Sequence, residues 1–135
     1  MILLGLNFFF HDSTACILRD GEIVVAIEEE RLSRAKHTSA FPHAAIARCL
    51  AEAGLTPADI DRVAVSIKPG EKRWAKAGYF LRRGPKARVM AKHELVRPFW
   101  KFRELRQWHA RFFGAHPPPL DFIEHHRSHV VGSFL

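Results

Sequence analysis

The chain has 135 residues, 47% of them apolar, and a net charge of +7. That is enough for one domain with its own core and excludes a disordered chain, and no apolar run approaches the roughly eighteen residues of a membrane span. The two cysteines, Cys16 and Cys49, stand inside apolar segments and form no CxxC pair, which excludes a disulfide scaffold and predicts small buried thiols in a reducing, cytoplasmic setting.

Met1 to Leu6 lacks the positive start and small-residue cleavage site of a signal peptide. Ile2 to Phe10 is a nearly continuous apolar run and reads as a strand in the middle of a sheet, buried on both faces. His11-Asp12-Ser13 interrupts it. Strand character returns from Thr14 to Arg19, Asp20-Gly21 is a two-residue hairpin signal, and Glu22 to Ile27 is a third strand. A three-stranded meander follows, with the polar cluster in its first turn. Backbone N–H groups and a carboxylate at such a turn suit phosphates and their cations, and His11 adds a group able to act as a general base or oxyanion donor. Plain turn chemistry, with Asp12 and Ser13 bonding local backbone, fits the same three residues.

Glu28 to His37 runs from acidic to basic within ten residues. It reads either as a solvent loop of paired charges or as a loop that turns Arg34, Lys36 and His37 toward an anionic substrate. Phe41-Pro42 opens a helix, with Pro42 at the first helical position and Ile46, Cys49, Leu50 and Ala53 at helical spacing, and Gly54 ends it. Thr56 is a predicted N-cap for a short turn, and Arg62 to Ile67 a fourth strand.

Lys68 to Arg111 holds 14 of the 21 Lys and Arg against three acidic residues, Glu71, Glu94 and Glu104, so this block is strongly basic and the rest slightly acidic. Helices are predicted near Trp74 to Arg82 and Pro98 to Phe113. Basic residues interleaved with aromatics are compatible with nucleic acid, but no recognised module signature is present, and the aromatics fit a helical core face better. Gly114 to Pro119 is a stiff connector. Leu120 to Glu124 is a fifth strand. In the segment after it, His125 and His129 lie four residues apart, one helical turn, so both rings can reach one metal ion; a solvated basic helix start fits the same spacing. Imidazoles suit zinc, iron, nickel or copper. Three segments result: meander, helix and strand (1–67), a basic helical excursion (68–118), and a strand leading to the histidine segment (119–135). The apolar helix face at Val130, Val131, Phe134 and Leu135 has no C-cap, so the chain is expected to be the amino-terminal part of something larger.

The opening GLNFFFHDSTACILRDGEIVVAIEEERLSRAKHTSAFP and the closing EHHRSHVVGSF resemble the NodU/CmcH family of O-carbamoyltransferases, over roughly residues 1–67 and 119–135. The order HDS, EER, KH, FP and HHxxH carries the likeness. The resemblance implies an α/β fold, the amino-terminal lobe of an actin-like ATPase (ribonuclease H-like), similar to the tRNA threonylcarbamoyl-transfer proteins, with a mixed sheet opened by a three-stranded antiparallel meander. It implies transfer of a carbamoyl group to the hydroxyl of a small-molecule acceptor from carbamoyl-adenylate, made from carbamoyl phosphate and ATP by a YrdC-like domain in the same or another chain. It places His11 and Lys36 at the catalytic centre, His11, Asp12, Ser13 and Lys36 against the adenylate, and His125 and His129 on a divalent metal, iron first, with zinc or magnesium as alternatives. Glu124 and Glu30 are outer partners, and His126 is a weaker substitute for His125. Leu32 departs from the family pattern, where an aromatic residue follows EER, and the basic excursion carries no family signature. No membrane or nucleic-acid partner is expected. Two histidines do not complete a metal site, so the chain by itself is expected to be inactive. The competing reading is a binding module that uses residues 68–111.

Overall fold

The computed structural model describes residues 1–9, 11–68, 78–79, 82–83 and 97–124. Among these residues, five strands form one sheet in the order β3-β2-β1-β4-β5. They are β1 (Ile2–Asn7), β2 (Thr14–Arg19), β3 (Glu22–Glu28), β4 (Arg62–Val65) and β5 (Leu120–Phe122). The first three form the expected antiparallel meander, and β4 and β5 run parallel to β1. This is the expected α/β fold, with a mixed sheet opened by a three-stranded antiparallel meander.

The hairpin between β2 and β3 follows directly from its sequence. Asp20 and Gly21 both take positive φ, 52° and 94°, which matches the right-handed twist of the flanking strands and which Asp-Gly tolerates at little cost. Position 24 has no register partner, because Ile17 pairs with Val25 and Leu18 with Ile23, so β3 bulges there.

Helix α1 (Glu29–Ser33) follows β3 without a break, α2 (His43–Ala53) crosses over toward β4, and α3 (Arg97–Phe113) precedes β5. Both α2 and α3 pack on one face of the sheet. Alternating residues of β1, β2 and β4 (Leu4, Leu6, Ala15, Ile17, Val63 and Val65) meet Ile46, Cys49 and Leu50 of α2 and Leu105 and Trp108 of α3 in a single core. Burial pushes the Cys49 thiol up to about 11 and raises that of Cys16, which favours the protonated form of both sulfurs. The other face, with Gly5, Asn7, Thr14, Cys16, Ala64 and Ser66, bears a groove of about 230 Å³.

Several expectations need correction. The first strand ends at Asn7, and its burial alternates although it lies centrally in the sheet. Phe8 and Phe9 are buried beyond its end, in an aromatic cluster with Phe41 and Phe102 at centroid separations of 4.5 to 4.8 Å. Glu28 to His37 is not simply a solvent loop, because α1 begins at Glu29. Pro42 is the N-cap of α2, one position before its first helical residue, and provides no side-chain cap. β4 stops at Val65 and β5 at Phe122. Gly54 does end α2, in the left-handed conformation, and Thr56 with Asp59 forms a capping box around the 3-10 turn Pro57–Asp59. Most of the predicted helix near Trp74 to Arg82, and all of the segment from His125 onward, lies outside the described residues.

Candidate functional site

The chain leaves the helix-covered core at Phe8-Phe9 and returns to the sheet at Thr14, so the turn between them sits at the carboxyl end of β1. Ligands of open α/β sheets gather outside the carboxyl ends of the parallel strands. Three residues hold the turn from the sheet side. The Asn7 side-chain amide donates to the carbonyls of Asp12 (3.2 Å) and His11 (3.5 Å), Thr14 Oγ1 donates to the Asp12 carbonyl (2.9 Å), and Ser66 Oγ, just past β4, donates to Asn7 Oδ1 (2.7 Å). Asp12 takes φ of 53°, a left-handed conformation that Asp tolerates better than most residues.

A second loop, between α1 and α2, closes over the first. Ser13 couples them: its N–H donates to the Thr38 carbonyl at 3.1 Å, and its hydroxyl lies 2.7 Å from the Ala40 carbonyl and 3.0 Å from that of Thr38. Ser13 is buried. Its partners stand 25 and 27 residues further along the chain, so Ser13 bonds the backbone of the second loop rather than the local backbone that plain turn chemistry predicts. Lys101 of α3 reaches both loops, donating from Nζ to the carbonyls of Phe8 and Ser39 at 2.5 Å each. The basic excursion thereby contributes a residue to the site's framework, a role that its charge pattern does not reveal.

The titratable groups converge on Asp12. His11 Nδ1 lies 2.6 Å from Asp12 Oδ2, and His37 Nδ1 lies 3.0 Å from Asp12 Oδ1. The hydrogen bond from His37, then that from His11, holds the Asp12 carboxyl below its usual range. Reciprocally, the hydrogen bond to Asp12 and its charge raise His37, with Glu30 adding a smaller push. The Glu30 carboxylate accepts the His37 N–H at 3.1 Å. Asp12, Glu30 and His37 each offer a ligand atom within 4.8 Å of the others, a spacing that one cation can span. Lys36 lies on the same loop, exposed, one residue before His37, and forms no hydrogen bond or ion pair among the described residues. His11, Asp12 and Lys36 are thus carried by two loops in contact. His125 and His129 lie outside the described residues.

Glu29 was missed by sequence reading. It is buried, and its carboxylate accepts the N–H groups of Ala44 (3.3 Å) and Ala45 (2.7 Å) in the first turn of α2, while its own N–H donates to the Ser13 carbonyl at 2.8 Å. It supplies the cap that Pro42 cannot, favoured also by the helix dipole. Its place in a run of three glutamates conceals this. His37, read from sequence as facing an anionic substrate or as part of a solvent loop, is bonded instead to Asp12.

Comparison with known proteins places these features in context. A family model described as carbamoyltransferase N-terminus matches residues 2–135. The chain is 32% identical over 140 residues to the uncharacterized protein sll1178 of Synechocystis, covering 98% of this chain and 23% of that protein. It is 33% identical over 130 residues to the nodulation protein NolNO of Sinorhizobium fredii, covering 95% of this chain and 18% of that protein. The chain therefore spans about a fifth of the length of these two relatives. Among solved structures, YeaZ from Pseudomonas aeruginosa is similar over 56% of this chain and 33% of its own, at 18% identity and a TM-score of 0.35. Another protein, described as similar to peptidase YeaZ from P. aeruginosa, covers 91% of this chain and 43% of its own, at 12% identity and a TM-score of 0.43.

Proposed function

We propose, from the premise that this chain belongs to the carbamoyltransferase N-terminus family, that it is the amino-terminal portion of an ATP-dependent O-carbamoyltransferase. The donor is carbamoyl-adenylate, made from carbamoyl phosphate and ATP by a YrdC-like domain in the same or another chain. The acceptor is a small-molecule hydroxyl. As the hydroxyl oxygen attacks the carbamoyl carbon, its proton passes to His11, negative charge grows on the carbonyl oxygen, and AMP departs with the electrons of the broken carbon–oxygen bond. Lys36 opposes the charge of the adenylate. His125 and His129 would hold a divalent metal, iron in the first instance, through two imidazole nitrogens, and such an ion would supply positive charge for nucleotide phosphate.

The observation that carries this reading is the meeting of the His11-Asp12 turn with the Lys36-His37 loop at the carboxyl end of β1. That arrangement carries a base and a cation on two joined loops at the carboxyl end of the central strand. The test is carbamoyl transfer from labelled carbamoyl phosphate and ATP, with the adenylate-forming domain supplied, comparing the wild type with His11→Ala and Lys36→Ala. Loss of about 10²- to 10⁴-fold in transfer for His11→Ala is expected of a general base. Full transfer by that variant would overturn the assignment.

A second reading keeps one specific observation. Phe99 and Trp100 of α3 are exposed, and the Arg103 guanidinium sits 5.5 Å from the centre of the Trp100 ring, a basic aromatic surface of the kind that binds nucleic acid. Affinity for single-stranded RNA that falls steeply with salt and is lost in Trp100→Ala would favour this reading.

A further inference from the structure

We propose that Asp12 and His37 are positioning residues that fix the tautomer of His11, an inference that rests on the reading of His11 as the base. The His11 side chain is 72% exposed, and an imidazole so exposed turns freely and divides itself between two tautomers unless a neighbour selects one. Asp12 is that neighbour. An ionised carboxylate only accepts hydrogen bonds, so a ring nitrogen 2.6 Å from Asp12 Oδ2 must carry the proton. That nitrogen is Nδ1 of His11. Neutral His11 is therefore left with a bare Nε2, the atom able to take a proton from an incoming hydroxyl.

A pairing of adjacent residues is easily lost to rotation, and here the framework prevents it. The Asp12 backbone is held left-handed by Asn7 and Thr14. Its second oxygen is taken by His37 Nδ1 at 3.0 Å, so the carboxylate cannot swing away from His11 without breaking that bond. His37 is itself held at φ of 51° with its N–H on the Glu30 carboxylate. One carboxylate thus joins two imidazoles carried by different loops.

During transfer, the hydroxyl proton would move to Nε2 of His11 as the new carbon–oxygen bond forms. The resulting imidazolium would be stabilised by Asp12 through Nδ1–H, and Asp12 would stay ionised throughout. This is the division of labour of a Ser-His-Asp triad, with an alcohol substrate in place of the serine. His37 has no such part in the proton's path. Its work is to hold the plane of the carboxylate.

Nitrogen-15 NMR of the histidine rings in this chain tests the geometry without turnover. At a pH where His11 is neutral, the wild type should show it with Nδ1 protonated, and Asp12→Asn should shift it toward the Nε2-protonated form. A wild-type His11 already protonated at Nε2 would overturn the proposal, and that measurement requires no variant to fold. In the transfer assay, Asp12→Asn should lower kcat by about 10³-fold or more with little change in KM, because the wrong tautomer carries no base. His37→Asn, whose amide nitrogen is as far from Cβ as Nδ1 is and can still donate to Asp12, should retain more activity than His37→Ala, and equal losses would count against a positioning role. If the tautomer shifts in Asp12→Asn while transfer is unchanged, the geometry stands and the reading of His11 as base falls. If transfer is lost with the tautomer unchanged, the positioning proposal falls alone.

Discussion

Lys101 and Ser39 stand 62 residues apart in the chain and meet at 2.5 Å, the Lys101 ammonium on the Ser39 carbonyl. The same ammonium also holds the Phe8 carbonyl and lies 5.7 Å from the centre of the Phe8 ring. It therefore ties α3 to both loops of the candidate site. Lys101→Met keeps much of the stem's packing and removes the charge. Hydrogen bonds to charged groups contribute about 1.5–3 kcal/mol, and a loss in that range is expected by urea denaturation. Faster amide exchange at Ser13, where the two loops are joined, should accompany it. Unchanged stability and exchange would mean that α3 is not what holds the loops.

Glu29 should behave as a helix cap supplied from outside the helix. Glu29→Ala removes the acceptor for two N–H groups of α2 and should cost about 1–2 kcal/mol. Glu29→Gln keeps one acceptor oxygen but presents an N–H where a second acceptor stood, so it should fall between Ala and the wild type. Urea midpoints of the three proteins check this order. A Gln variant worse than Ala would show that the cap is not the main role of the side chain.

Gly5 is required by close approach rather than by backbone conformation. A Cβ there would lie 2.6 Å from Cys16 Sγ, on the strand directly opposite, while its next neighbours are at 3.9 and 4.0 Å. Gly5→Ala should therefore destabilise by about 1–3 kcal/mol, the usual cost of overpacking. Adding Cys16→Ala should restore most of it, because the conflict is with the sulfur alone. Thermal unfolding of the single and double variants decides the matter, and a double variant no better than Gly5→Ala would place the strain elsewhere.

Features set by local chemistry were legible in the sequence. Asp20-Gly21, Gly54 and Thr56 each announce a turn or a cap through their own conformational preference, and each lies where expected. The strand alternation follows from which sheet face α2 and α3 cover. Much of the site is different in kind. Glu29 reads as one of three exposed glutamates until α2 is folded against it. Asp12 and His37 are 25 residues apart, and nothing local records that one carboxylate will serve two imidazoles. Lys101 reads as one of many charges in a basic block. Among the apolar side chains of that block, Leu105 and Trp108 joined the core as the preferred reading had it, whereas Phe99 and Trp100, in the first turn of α3, are exposed.

The Asp12–His37 pair should give stability a pH dependence with two limits. Asp12 is held below its ordinary value, so its contribution is complete above about pH 4 and is lost as the pH falls through its lower folded value. His37 is raised, so its contribution is complete below about pH 6.5 and is lost as the pH rises through its higher folded value. Both are in place between those limits. The difference in urea midpoint between the wild type and His37→Ala should therefore be largest near pH 5.5 and shrink toward both pH 3 and pH 8.5. Because the His37 side chain is 81% exposed and that of Asp12 42%, water and salt screen the pair, and the difference should also narrow in about 1 M salt. A gap between the two proteins that stays constant across pH would show that His37 acts by packing alone.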